Sequence, residues 1–422
     1  MNGKSVLGMI FANIHEEALD SLTAMRTMGS VPFCSRFRLI DFPLSNLVES
    51  GVTKIGVVTN ANFRSLMDHI GTGKPWDLSR KSDGLFLLPP FSAGSTSIWG
   101  NRIDAIFGNM NFLHQSHQTY VLMTDCNNIV NIDYSKLFDA HEKSGADITI
   151  VGVKSKMPKN IGSVLCFDKV DENGKITEMS LDRDVDDEVF YSCNIMIMKK
   201  YLLETLIQTA HSKNEISFQR NIVMANVKNL NIHAFDATDS FVGTIDSIQS
   251  YYKISMSLLE KENRDKLFSS PISTKERDDM PTLYGPESAT KNSLVADGCI
   301  IDGRVENCII FKGVKVEKGA VVKNSILMQD TVVGENSKVN CVITDKNVSI
   351  RSSAELSGAK HFLFALLKTQ RSNFGGIKNE SIICCFRSTS VYGFGWIGRC
   401  CRLTSCSTSQ KTYRLPCCYA AL

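Results

Sequence analysis

The sequence predicts an α/β chain in which a Rossmann-like mixed-sheet domain is followed by a left-handed parallel β-helix. Two observations carry this. From Ser5 to about Ala237, strand-like and helix-like stretches alternate, the pattern of a mostly parallel sheet covered by helices. Further on, four short segments headed by Asn recur at spacings of 15, 17 and 16 residues. A repeat of that length is the mark of a stacked solenoid.

The elements follow in order. Val6–Ala12 is an apolar run and predicts a buried strand. Leu44–Ser50 predicts a helix that stops at Gly51, since glycine suits the residue just past a helix. Lys54–Thr59 is the next strand. A helix through Arg64–Ile70 ends at Gly71-Thr72-Gly73. Thr119–Met123 is a strand, Tyr134–Ser144 a helix ending at Gly145, and Asp147–Val153 a strand. Val164–Met179 reads as a hairpin because it contains Asn173-Gly174, a strong turn signal. Ile245–Glu260 predicts a long closing helix, and Phe268–Lys291, rich in Pro, Ser and charge, a linker. Ligands bind such sheets at the carboxyl ends of the strands. That places Asn13–Glu17, Asn60 and Asp125 around one crevice.

The recurring segments begin at Asn292, Asn307, Asn324 and Asn340. Branched apolar residues with glycine at the corners fit hexapeptide coils, each stacking only on its neighbours. The domain reading is therefore residues 1–265, a linker at 266–291, a β-helix at 292–360, and a tail at 361–422.

The tail differs from the rest. It holds eight Lys and Arg against one acid, Glu380, and seven of the 14 cysteines. Three of its cysteine pairs are adjacent, as in Cys384-Cys385, which is poor metal-ligand spacing. Charge, cysteine content and periodicity all change near Lys360. The hypothesis is a shifted reading frame: moving the nucleotide sequence by one base near codon 360 should restore hexads. Stops or noise in both other frames would sink it and leave a genuine disordered or metal-binding tail.

Composition excludes several classes. Hydrophobic content of 43% and charged content of 22% are those of a soluble globular protein, and a net charge of +3 offers no nucleic-acid surface. No stretch approaches the roughly 18–20 apolar residues of a membrane helix. The Val6–Ala12 run is too short for a signal segment. The cysteines before residue 360 sit singly among apolar or turn residues, as reduced thiols do in a cytoplasmic protein.

Arg36–Asn46 reads RFRLIDFPLSN. This segment, the spacing to Asp125, the Gly243–Asp246 sequence GTID and the repeats together resemble ADP-glucose pyrophosphorylases (glucose-1-phosphate adenylyltransferases) over about Ser5 to Ala359. The resemblance implies a nucleotidyltransferase domain, in which a sugar phosphate attacks the α-phosphorus of a nucleoside triphosphate. Catalysis there is positioning and charge neutralisation. It needs a glycine loop for phosphate, Arg and Lys for the leaving pyrophosphate, and two carboxylates for Mg²⁺.

Carried over position by position, most of that machinery is missing. The loop's glycines fall on Asn13 and Ile14, and its Arg on Ala18, beside Glu16 and Glu17. The following Lys falls on Met28, while Arg26 survives. Gly-Thr-Ala-Asp-Ala falls on Asn101–Ala105 and keeps Asp104. One metal carboxylate survives as Asp125; the other falls on Phe241, before Val242-Gly243-Thr244. The sugar-phosphate Lys falls on Asp182, with Arg183 one residue late. Losing one charge-stabilising group costs on the order of 10²–10³ in rate, so several losses leave negligible activity even without strict additivity.

The resemblance therefore implies a regulatory, D-type, non-catalytic subunit in glycogen biosynthesis. It would form a heterotetramer with a catalytic subunit, which would hold the Mg²⁺. This chain is expected to bind no metal or other cofactor. Arg26, Asp104, Asp125 and Gly243 are expected to be remnants of the nucleotide and sugar-phosphate site. Arg36, Arg38 and Asp41 are expected to serve an effector, such as a phosphorylated sugar, or an interface. Bland readings stand beside these: Asp125 as a strand-end cap, Asp41 as organiser of a turn, Arg36 and Arg38 as a solvated strand face. His15, His69 and His114 read as isolated surface or core residues. The alternative function is an active nucleotidyltransferase with a rearranged site. A hexapeptide acyltransferase needs a histidine in the β-helix, and there is none between Asn292 and Lys360.

Overall fold

The computed structural model describes residues 2–90, 99–158, 160, 162–182, 187–358, 364–367 and 382–385. Arg183 and most of the tail, including the proposed frame shift, lie outside the described residues.

The first domain is built on a nine-stranded mixed sheet. Its parallel centre runs Tyr120–Asp125, Val6–Phe11, Lys54–Val58, Gly84–Leu88. The Val6–Phe11 strand is buried throughout, as its unbroken apolar run requires for a strand covered on both faces. The long Glu188–Lys199 strand reverses direction and pairs antiparallel with Tyr120–Asp125, Ile148–Lys156 and the Leu165–Val170/Ile176–Leu181 hairpin. The helices Arg64–Ile70 and Tyr134–Ser144 fall where the periodicity places them. Gly145 closes the latter at φ 59°. The RFRLIDFPLSN segment forms a two-residue strand, Phe37–Arg38, and the start of helix Asp41–Glu49.

Two expectations change. The closing helix is shorter, Ile248–Ser257, because Ser247 caps it and Ser250 completes a capping box. The β-helix also starts earlier than Asn292. Leu283–Tyr284 and Ala289–Lys291 already pair in parallel with Ile300–Ile301 and Arg304–Glu306, so residues read as linker form part of the first coil.

The left-handed β-helix has three stacks of short parallel strands. Apolar side chains such as Ile301, Val316, Val333 and Ile350 fill its centre. The repeated asparagines mark one corner. Asn292, Asn307 and Asn324 have φ values of 43°, 52° and 46°, a left-handed backbone that asparagine tolerates better than most residues. Their amides form a ladder, Asn292 donating to Asn307 at 2.8 Å and Asn324 to Asn340 at 3.0 Å. In the last repeat the positive φ moves to Cys341.

The two domains share a hydrophobic core. Phe33, Phe42 and Tyr251 of the first pack in one cluster with Ile309, Ile326 and Ile343 of the β-helix. Tyr252 Oη donates to the Asn324 carbonyl at 2.6 Å across the boundary. No helix among the described residues is long and apolar enough to cross a membrane.

Candidate functional site: an acidic crevice and a basic pocket

The carboxyl ends of Val6–Phe11 and Lys54–Val58 open on a cavity of about 550 Å³; Asp125, placed there by the sequence, is buried behind its wall and does not line it. The turn after the first strand lines it with Asn13, Ile14, His15, Glu16, Glu17 and Ala18. This turn is filled by its own side chains. Asn13 Oδ1 accepts from the Asn60 backbone N–H at 2.8 Å, and Asn13 Nδ2 donates to Ala61 O at 3.1 Å and to the Glu16 carboxylate. These bonds tie the Asn13 side chain to the backbone just past the next strand. Burial raises the Glu16 pKa to about 7, against the lowering effect of the Asn13 bond. Acidic Glu16 and Glu17 stand where phosphate binding needs cations.

Asp125 ends its strand with no exposure. Arg102 Nη2 lies 2.6 Å from each of its carboxylate oxygens. His15, held at φ 71°, places Nε2 3.3 Å from Oδ2. Burial works to raise the Asp125 pKa, but Arg102 and His15 outweigh it and hold the carboxyl below the usual range. His15 is therefore not isolated. Arg102 was the residue whose role the sequence did not reveal; no motif marks it. Asn101 caps its helix by accepting from the Asp104 N–H at 2.9 Å, and this fixes the guanidinium against Asp125.

A divalent cation does not fit here. Both oxygens of Asp125 already face a guanidinium. Phe241, onto which the resemblance carries the second metal carboxylate, packs against the core cluster that joins the domains. Among the described residues no group of three or more His, Cys, Asp or Glu could hold a metal.

The other residues singled out from the sequence lie elsewhere. Arg26 is not in the crevice; its Nη2 lies 2.6 and 2.8 Å from the carboxylate oxygens of Asp345 in the β-helix. Met28 is fully buried in the shared core. Asp104 serves its helix start and sits 3.5 Å from His211. Asp182 accepts from the backbone N–H groups of Ser163 and Val164 at 2.9 and 2.8 Å. Gly243 pairs with Ile129, and a Cβ there would come within 2.9 Å of Ile254.

A second cavity, about 210 Å³, lies between the domains. Arg36, Arg38, Lys275 and Arg277 meet Lys312 and Lys346 of the β-helix there, with Asp68 and His69. Arg38 Nη1 is anchored on Ser65 O at 2.7 Å, and its backbone N–H donates to Asp41 at 2.9 Å. Asp41 is fully buried and lies 2.6 Å from His69 Nε2. Asp41 and His69 thus form a support beneath the basic side chains. Burial, then the nearby Arg38 and Arg26, bring Lys346 down to about 7. Among the lining residues bases outnumber acids, although Arg277 also reaches Asp279 at 3.1 Å; such a concentration of positive charge favours anions.

The chain is similar along most of its length to proteins of known family. It is 34% identical over 361 residues to the glycogen biosynthesis protein GlgD of Bacillus subtilis (strain 168), covering 85% of this chain and 94% of that protein. The chain belongs to the family of GlgD and the glucose-1-phosphate adenylyltransferases. GlgD of Geobacillus stearothermophilus is 33% identical over 76% of this chain and 84% of its own. The glucose-1-phosphate adenylyltransferase of Clostridium perfringens (strain SM101 / Type A) is 32% identical over 79% of this chain and 87% of its own. Residues 17–180 match the nucleotidyl transferase family and residues 282–360 the GlmU-like, C-terminal hexapeptide family.

Proposed function

We propose that this chain is a regulatory subunit of a cytoplasmic glucose-1-phosphate adenylyltransferase, acting in glycogen biosynthesis by modulating a catalytic partner that carries the Mg²⁺ and the turnover. One observation carries this reading: the carboxylate that survives at the crevice, Asp125, is already neutralised by Arg102, while six basic side chains ring the cavity between the domains. A chain that had only lost activity would have no reason to present six basic side chains around that cavity.

In this reading the pocket takes an anionic effector, of the class of a phosphorylated sugar. Arg36, Arg38 and Lys275 come from one domain and Lys312 and Lys346 from the other, so a bound anion would tie the two together. The partner subunit, in a heterotetramer, would feel the result as a shift between conformations. Couplings of this kind amount to ~1–3 kcal/mol.

The test is reconstitution. Purified alone, the chain should show no pyrophosphorolysis of ADP-glucose. Added to the catalytic subunit, it should raise that subunit's turnover and alter its response to effectors. Robust turnover by the lone chain would sink the reading in favour of an active enzyme with a rearranged site.

A further inference from the structure

We propose that Arg102 is a built-in counter-ion standing in for a divalent cation at Asp125, so that this crevice takes neither a metal ion nor a metal–nucleotide complex. The starting point is burial. Asp125 is wholly removed from solvent, and a buried carboxylate without a cation costs several kcal/mol. Something must neutralise it. In an enzyme of this family the cation would arrive with the substrate. Here the chain supplies it.

The geometry puts one guanidinium nitrogen on both carboxylate oxygens. Arg102 Nη2 reaches both oxygens at 2.6 Å, and the residue is 5% exposed. Its guanidinium carbon sits 4.7 Å from the Phe11 ring centroid and 5.7 Å from that of Phe218, so aromatic faces hold the cation from two sides. The helix Arg102–Gly108, capped by Asn101, fixes its root. His15 approaches the same carboxylate from the turn that replaces the phosphate loop. Mg²⁺ needs oxygen ligands at about 2.0–2.1 Å in near-octahedral order. Placed on Asp125 it would meet a guanidinium already there. The acids left at the mouth, Glu16 and Glu17, repel a triphosphate.

The inference deepens the reading of the crevice as non-catalytic, and it is read without turnover. Mn²⁺ binding to the full chain is followed by electron paramagnetic resonance, with thermal unfolding alongside. Wild type should take up no Mn²⁺ at this site, and its midpoint should not move with Mg²⁺ or Mg–ATP. Arg102→Ala should lower the midpoint by several degrees and gain Mn²⁺ binding. Adding Asp125→Asn should recover stability and abolish that binding. Should Arg102→Ala fail to fold, the double variant decides: recovered folding supports the pairing, and continued failure overturns it. Stoichiometric Mn²⁺ in wild type, lost in Asp125→Asn, overturns the proposal while leaving the regulatory reading standing. Turnover by the lone chain overturns the regulatory reading instead.

Discussion

Arg26 and Asp345 stand 319 positions apart in sequence and 2.6 Å apart in space. Both are almost fully buried, and they join the first domain to the β-helix. The residue that the sequence assigns to a phosphate site is an inter-domain tie.

Breaking this tie should be costly. Removing one partner of a buried pair leaves an uncompensated charge, which costs ~3–5 kcal/mol. Against a total stability of ~5–15 kcal/mol, Arg26→Ala should lower the denaturation midpoint sharply. The Arg26→Ala/Asp345→Ala double variant should lose less than the sum of the single losses. Strict additivity in urea unfolding would show that the pair contributes nothing as a pair.

The basic pocket should respond to pH through Lys346. Its folded pKa is about 7 against an ordinary 10.5. Between those values the unfolded chain binds more protons, so stability rises with pH across the window, and the full penalty of the charged form applies below about pH 7. Lys346→Met should therefore stabilise the protein more at pH 6.5 than at pH 10. An anion favours the charged lysine and works with Arg38 and Arg26 present, against Asp345 and Asp330. Sulfate, whose charge is constant over this range, should bind more weakly as pH rises through 7–8. Calorimetry in buffers of different ionisation heat should register proton uptake on binding.

The filled turn should not revert to function by one change. Asn13→Gly restores the residue type of the phosphate loop but removes three hydrogen bonds. Each is worth ~0.5–1.5 kcal/mol net. The expected outcome is a stability loss of about 1.5–4.5 kcal/mol by chemical denaturation, with no pyrophosphorolysis by the lone chain.

The asparagine corner offers a cleaner backbone test. Asn324 combines φ 46° with a side-chain bond to Asn340. Asn324→Ala loses the bond and strains the backbone, at ~1–2 kcal/mol for the conformation alone. Asn324→Gly loses only the bond. Thermal unfolding should rank wild type above Gly and Gly above Ala; equal loss in both would place the whole effect in the ladder.

Much of this protein was legible in one dimension. Alternating strand and helix patterns fixed the first domain, because side-chain periodicity follows directly from backbone geometry. The Asn-headed repeats announced the β-helix, because each coil faces the same corner problem. Ile14, Ala18 and Phe241 announced a lost site, because a motif is a local string and its loss is local too. What the string could not contain was pairing. Arg102 meets Asp125, Arg26 meets Asp345, and Lys312 and Lys346 meet Arg36 and Arg38 only once the chain is folded. Charge interactions depend on distance and burial, not on spacing in sequence. The sequence therefore determined which family this is. The tertiary structure alone decided which charges meet: a guanidinium on Asp125, an ion pair between domains, and a basic pocket assembled from both.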